Sequence, residues 1–118
     1  MGKGFLFQNR QHRISFNGEN FYIDLVLYNR LLKCFVLIDL KIGSLKHQDI
    51  GQMQMYVNFF DREVKNKNEN KTVGIILCKQ TNNAVIEYTL PKDNKSIFAR
   101  EYKLYLPSKK QLQKLLEE

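Results

Sequence analysis

Phe35-Val36-Leu37-Ile38-Asp39-Leu40-Lys41-Ile42 is an apolar, strand-like run broken by one acid and one base, and upstream Phe21-Tyr22-Ile23-Asp24-Leu25-Val26-Leu27-Tyr28 repeats the anomaly with a second acid. Strands bury few charges unless these are paired or hold a metal, because an unpaired buried carboxylate is costly. Side chains alternate along a strand, so Asp39 and Lys41 share a side with Phe35 and Leu37, while Val36, Ile38, Leu40 and Ile42 take the other. In the upstream strand Ile23, Leu25 and Leu27 share one face, and Asp24 lies opposite with Tyr22 and Val26. A hairpin that aligns the two apolar faces, pairing Tyr28 with Lys33 or Asn29 with Leu32, sets Asp24 across from Leu37 and Asp39 across from Tyr22. The acids become diagonal neighbours, roughly 5 to 8 Å apart at Cβ. With Lys41 beside them they suit a hard divalent cation such as Mg²⁺, which takes one or two carboxylates plus waters and phosphate oxygens. The plainer alternative is a structural ion pair of Asp39 with Lys41 at a sheet end, with Asp24 accepting hydrogen bonds from a loop.

Outward from these strands the chain reads βββαβ. Residues 12 to 17 alternate loosely and lead through the turn dipeptide Asn17-Gly18 into the Asp24 strand, which makes that strand a central one. Beyond Gly43, Ser44 can cap a helix whose apolar positions Ile50, Met53, Val57, Phe60 and Val64 follow helical spacing and serve as core. Gln52 lies on the flank of that helix with Tyr56 and Phe59. Residues 66 to 71 form a polar loop before Thr72-Val73-Gly74-Ile75-Ile76-Leu77-Cys78, a continuous apolar run expected to pair parallel to the Asp39 strand, with the helix as crossover. Residues 82 to 90 fit a short helix or a strand, and the helix is preferred. Ile97 to Leu106 reads as a last strand, and Pro107-Ser108 opens a terminal helix with Leu112, Leu115 and Leu116 on one side.

Taken in order, Gly4-Phe5-Leu6-Phe7, Phe21 to Leu25, Ile38-Asp39-Leu40-Lys41-Ile42-Gly43, Gly51-Gln52-Met53, Gly74 to Lys79 and Val85-Ile86-Glu87-Tyr88 resemble the nuclease domain of YhcG-type bacterial proteins. Asp24 followed by Asp39-Leu40-Lys41 is similar to the acid and D-x-K signature of the PD-(D/E)XK nuclease superfamily. The likeness covers nearly the whole chain. It implies one nuclease-like domain over residues 1–118, an α/β (α+β) fold with a mixed four- to five-stranded sheet, flanking helices and a restriction-endonuclease-like core. It implies further that Asp24, Asp39 and the backbone carbonyl of Leu40 bind Mg²⁺ or Mn²⁺, that Lys41 orients the attacking water and stabilises phosphorane charge, and that Gln52 supports the site. Asp39 stands where many relatives carry Glu. The superfamily commonly adds an acid from a helix ahead of the first strand, and with the start at Met1-Gly2-Lys3-Gly4 that helix is expected to be absent. Glu19, in a turn, is a poor substitute.

The 118 residues carry 43% hydrophobic content, enough for one core, with no long apolar run and no secretory pattern, so a cytoplasmic domain without a membrane partner is expected. Cys34 and Cys78 sit in apolar strands and read as reduced, buried thiols. His12 and His47 lie in polar segments, and Tyr22, Tyr28 and Tyr56 pack with their hydroxyls at the rim. Neither a Ser-His-Asp set, a phosphate-cradling glycine loop nor zinc spacing occurs. The balance of 19 Lys and Arg against 12 Asp and Glu, a net charge of +7, fits a DNA partner, with Arg10, Arg13, Lys46 and Lys79 as the cations expected near the acids. The resemblance also implies the C-terminal module of a longer protein, and apolar surface around Phe5, Phe7 and Ile14 suggests a homodimer. The rival reading is a catalytically silent nucleic-acid-binding or assembly module that keeps the nuclease fold, and a third is a purely structural interaction domain.

Overall fold

Asn17 and Gly18 both adopt positive φ (47° and 85°), the geometry of a two-residue turn whose twist matches antiparallel strands. The turn joins β1 (Phe5–Phe16) to β2 (Glu19–Asn29) in the computed structural model, which describes residues 4–102 together with Lys110. The first strand is longer than its loose alternation at residues 12 to 17 suggests, because the preceding stretch from Phe5 to Arg10 also pairs along β2. Gln8 is an extra residue in this ladder, between the pairs Phe7↔Leu27 and Asn9↔Val26.

β2 turns into β3 (Cys34–Ser44) through Arg30–Lys33, so neither expected closing pair, Tyr28 with Lys33 or Asn29 with Leu32, forms. The buried Asn29 explains the difference: its Oδ1 accepts the N–H groups of Leu31 and Leu32, each at 3.0 Å, and Lys33 closes the turn at φ 51°. Pairing is therefore Asn29↔Cys34 through Leu25↔Ile38. This register is offset by two residues from the expected one, which preserves every facing but carries Asp24 towards Asp39 rather than towards Leu37.

The second correction concerns β2 itself. Ile23 and Val26 belong to one buried cluster and Leu27 to another, so strict alternation fails between Ile23 and Val26, around Asp24 and Leu25. The grouping of Ile23 with Leu25 and Leu27 on one face does not hold. The alternation breaks where the acid sits.

From β3 the chain crosses by α1 (His47–Phe59) to β4 (Val73–Gln80), which pairs parallel with β3, and by α2 (Asn83–Thr89) to β5 (Ile97–Glu101), parallel with β4. The sheet order is β1-β2-β3-β4-β5, a mixed five-stranded sheet. Lys46, not Ser44, is the residue before α1; Asp49 takes its backbone N–H with a carboxylate oxygen. Ser44 remains in β3. Asn82 caps α2 by accepting from Ala84 and Val85, which decides the ambiguous stretch in favour of a helix.

Ile50, Met53, Tyr56 and Val57 of α1 are buried against Val26, Leu37, Ile76 and Cys78 of the sheet, and Val85, Ile86 and Leu90 pack on the same cluster, so both helices lie on one face. Phe60 continues this stripe, but Phe60–Val64 is a π-helical turn and Val64 is exposed. Cys34 and Cys78 are free and buried in clusters on opposite faces. No described helix is long and apolar enough to cross a membrane. The expected strand beyond Glu101 and the terminal helix from Pro107 fall outside the described residues, apart from Tyr102 and Lys110.

Candidate active site

The β2–β3 ladder ends at Leu25↔Ile38, and the two acids begin where it stops. There the carboxylates take over as partners of the backbone. Asp24 donates its N–H to Asp39 Oδ1 at 3.0 Å, and Leu40 donates its N–H to Asp24 Oδ2 at 2.8 Å. The strands are thus locked together by their acids instead of by carbonyl oxygens. On the other side of β2, Gln11 adopts a positive φ of 49° between the pairs Arg10↔Leu25 and His12↔Ile23, and its Nε2 donates to Asp24 Oδ1 at 3.1 Å. A left-handed glutamine inside a strand is sterically costly, a local strain of the kind found beside functional sites.

Asp24, Asp39, Leu40, Lys41 and Gln52 line one cleft of about 230 Å³, joined by Tyr22 and by Asp49 of α1. The strands contribute their side chains from the end of the ladder, and α1 lies across them with Asp49 and Gln52 three residues apart on one side. Burial pushes the Asp39 carboxyl up to about 6; the Asp24 N–H opposes this, and the charges of Asp24 and Asp49 add to it. Tyr56, buried beneath the acids, has its hydroxyl pushed up to about 12 by burial and by Asp39 and Asp24, so it stays protonated.

Lys41 does not pair with Asp39. Its Nζ lies 3.1 Å from Asp49 Oδ1, which replaces the structural ion pair weighed from sequence. Asp49 was not singled out by pattern, although its spacing to Gln52 was there to read. Gln11 had no sequence signal at all, since its contact depends on the strand register. Glu19 starts β2 opposite Phe16 and does not line the cleft. Among the described residues, no three His, Cys, Asp or Glu side chains converge as a metal-binding group, because Asp49 is turned to Lys41 and to the helix end.

None of the four surface cations Arg10, Arg13, Lys46 and Lys79 lines the cleft. Arg10 and Arg13 are exposed on β1 and flank Gln11, Arg13 opposite the cleft-lining Tyr22. Lys46 precedes α1, and Lys79 follows Cys78, the β4 partner of Lys41. His12 packs on Phe60 with ring centroids 5.7 Å apart, Tyr28 meets Phe35 edge-on at 5.1 Å, and His47 is exposed at the start of α1.

A mixed sheet with helices on the face described, a hairpin that ends in two acids, and a lysine two residues beyond the second define the architecture of a PDDEXK endonuclease-like fold. Solved structures agree. A repair endonuclease from Pyrococcus abyssi superposes with a TM-score of 0.57 at 16% identity over 86% of this chain and 39% of its own. EndoMS, in a structure described as a complex with dsDNA, gives a TM-score of 0.60 at 16% identity over 86% of this chain and 37% of its own.

The chain belongs to the YhcG PDDEXK nuclease domain family, whose model matches residues 1–117. A curated relative, "Putative nuclease YhcG" of Escherichia coli (strain K12), is 34% identical over 112 residues, which is 95% of this chain. The chain spans 30% of that relative's length.

Proposed function

We propose that this chain hydrolyses DNA phosphodiester bonds with a divalent cation, Mg²⁺ or Mn²⁺, held by Asp24, Asp39 and the Leu40 carbonyl. The observation that carries this reading is the state of Asp39. One of its oxygens accepts from Asp24, while Oδ2 has no hydrogen-bond donor among the described residues and the group lines an open cleft. Two acids side by side, one destabilised as an anion by burial and by its neighbours, form an oxygen-only donor set that a hard cation would relieve. The residues present therefore fit such an ion.

A cation bound there supplies Lewis-acid polarisation of the phosphodiester and neutralises its charge. The chain's own groups do the rest. Gln11 and the Leu40 N–H hold the Asp24 carboxylate in place, and the Asp24 N–H holds Asp39. Lys41 presents an ammonium to the same cleft, where it is suited to orient a water and to meet the negative charge that develops on phosphorus. Gln52, on the helix flank, offers an amide to that water or to a phosphate oxygen. Arg10, Arg13, Lys46 and Lys79 would grip flanking phosphates and leave base sequence unread. The share of the relative covered supports a role as one module of a longer polypeptide, with target choice made elsewhere in it.

One observation favours a silent binding module instead: among the described residues no third side chain joins Asp24 and Asp39 as a metal-holding group, since Asp49, which also lines the cleft, is paired with Lys41. The deciding experiment incubates the chain with Mn²⁺ or Mg²⁺ and linear, branched and single-stranded DNA, beside Lys41→Ala and Asp39→Asn. Cleavage that depends on metal and falls by about a hundredfold or more in both variants is expected. Intact DNA in every lane would sink the enzymatic reading in favour of the binding module.

A further inference from the structure

Asp49 carries two contacts, one on each oxygen. Oδ2 accepts the Lys46 N–H at 2.8 Å and closes the first turn of α1, while Oδ1 lies 3.1 Å from Lys41 Nζ. Closing the turn needs one neutral acceptor, which an asparagine or glutamine provides. The charge also suits the positive end of the helix, but the second oxygen goes to the lysine, and the charge sets a third negative group beside two acids that already repel each other. The side chain is also sheltered, at 15% exposure, whereas the lysine it meets is 39% exposed.

The helix end bearing Asp49 is fixed to the sheet. Leu45 is buried at 3% exposure and donates its N–H to the Gln80 carbonyl at 2.9 Å. Lys41, in contrast, is a long flexible chain near the open end of β3, and a free lysine would spread its ammonium over many rotamers. A rigid carboxylate across the cleft removes that freedom before substrate arrives. Pre-placed charge is what a phosphoryl-transfer site needs most, since its protein groups act by position and field.

We propose that Asp49 is a positioning residue for Lys41: it anchors the ammonium to the frame of α1, so that the lysine faces the two acids when a phosphodiester enters. The inference rests on the nuclease reading above. It makes the charge of Asp49, not its capping, the feature that matters to turnover.

The test uses the full chain as wild type, Asp49→Asn, Asp49→Ala, Lys41→Ala and the double variant Asp49→Asn with Lys41→Ala. Steady-state DNA cleavage is paired with lysine-selective ¹⁵N NMR of the metal-free protein, which reads how restrained the Lys41 ammonium is. Asp49→Asn keeps the cap and loses the charge, so kcat is expected to fall about tenfold with KM changed less than about twofold. In the Lys41→Ala background the same substitution should cost nothing further. The Lys41 ammonium should loosen to match exposed lysines. A kinetically unaltered Asp49→Asn, with loss confined to a lower-melting Asp49→Ala, would reduce Asp49 to a cap and overturn the proposal. So would an equal loss with and without Lys41, or an ammonium as restrained in Asp49→Asn as in wild type. If wild type leaves DNA intact, the nuclease reading falls by itself, and the ammonium measurement still decides whether Asp49 holds Lys41.

Discussion

At the scale of single residues the site is a set of charges that folding alone would not choose, and Asp39 shows this most clearly. Its folded pKa, about 6, lies above its ordinary value of 3.8, with burial as the leading cause. The folded state therefore holds the proton more tightly than the unfolded chain. The resulting stability is fully present below pH 3.8 and is lost as pH rises through about 6. Asparagine mimics the protonated acid, so Asp39→Asn should match wild type near pH 4 and exceed it at pH 7 by about 1–2 kcal/mol, after discounting for solvent around the half-exposed group. Urea melts at several pH values check this, and adding Mg²⁺ at pH 7 should stabilise wild type alone. A variant less stable than wild type at pH 7 would show that Asp39 serves the fold and not a ligand. Asp24, Asp39 and Lys41 were legible in the sequence because each is a charge in an apolar strand. Asp49 and Gln11 were not, because a carboxylate in a first helical turn and an amide in a polar strand are ordinary until the register brings them to those acids.

Among the elements, the close seat of α1 on β4 depends on the missing side chain of Gly74. A Cβ there would lie 2.6 Å from Met53 Cγ, 2.7 Å from its Sδ and 3.0 Å from Val57 Cγ2. Met53 and Val57 are buried, and Met53 stands one residue after Gln52, so this contact sets how far the helix carrying Gln52 and Asp49 stands from the acids. Methionine can yield by changing rotamer, which keeps the cost of Gly74→Ala to about 1–2 kcal/mol; Gly74→Val should cost more. Denaturant midpoints test the stability, and a matched loss of activity in folded Gly74→Ala would show that helix height tunes the site. An alanine variant as stable as wild type would mean the helix moves freely. The helical stripe Ile50, Met53, Val57 and Phe60 was readable as core, as was the parallel β3–β4 crossover. The π-helical turn at Phe60–Val64 was not, since the same apolar spacing suits an α-helix until Asp61 turns to accept the Thr72 N–H at 2.8 Å. The broken alternation in β2 escaped for a related reason: apolar residues at 23, 25 and 27 satisfy strict alternation on paper, and only packing puts Ile23 and Val26 together.

For the whole molecule the question is where the net charge of +7 does its work. Charge spread evenly over a surface gives weak, non-directional attraction, whereas cations ranged beside a cleft hold a polyanion in one register. Arg10 and Arg13 are exposed on β1 either side of Gln11, whose amide touches Asp24, so a backbone laid along this strand would pass the acids. Each phosphate contact adds about 0.9 to the slope of log affinity against log salt. Replacing Arg10 and Arg13 together by alanine should therefore weaken duplex binding and flatten that slope by nearly twice this amount. The same change at Lys65 and Lys67, in the polar loop that follows α1 and its π-helical turn, should leave the slope as it was. Fluorescence anisotropy with a labelled duplex, titrated across salt concentrations in Ca²⁺ to hold cleavage off, measures both. Equal flattening by the two pairs would mean that the charge acts as a diffuse cloud, and the path of the nucleic acid past the acids would have to be sought along α1 and Lys46 instead.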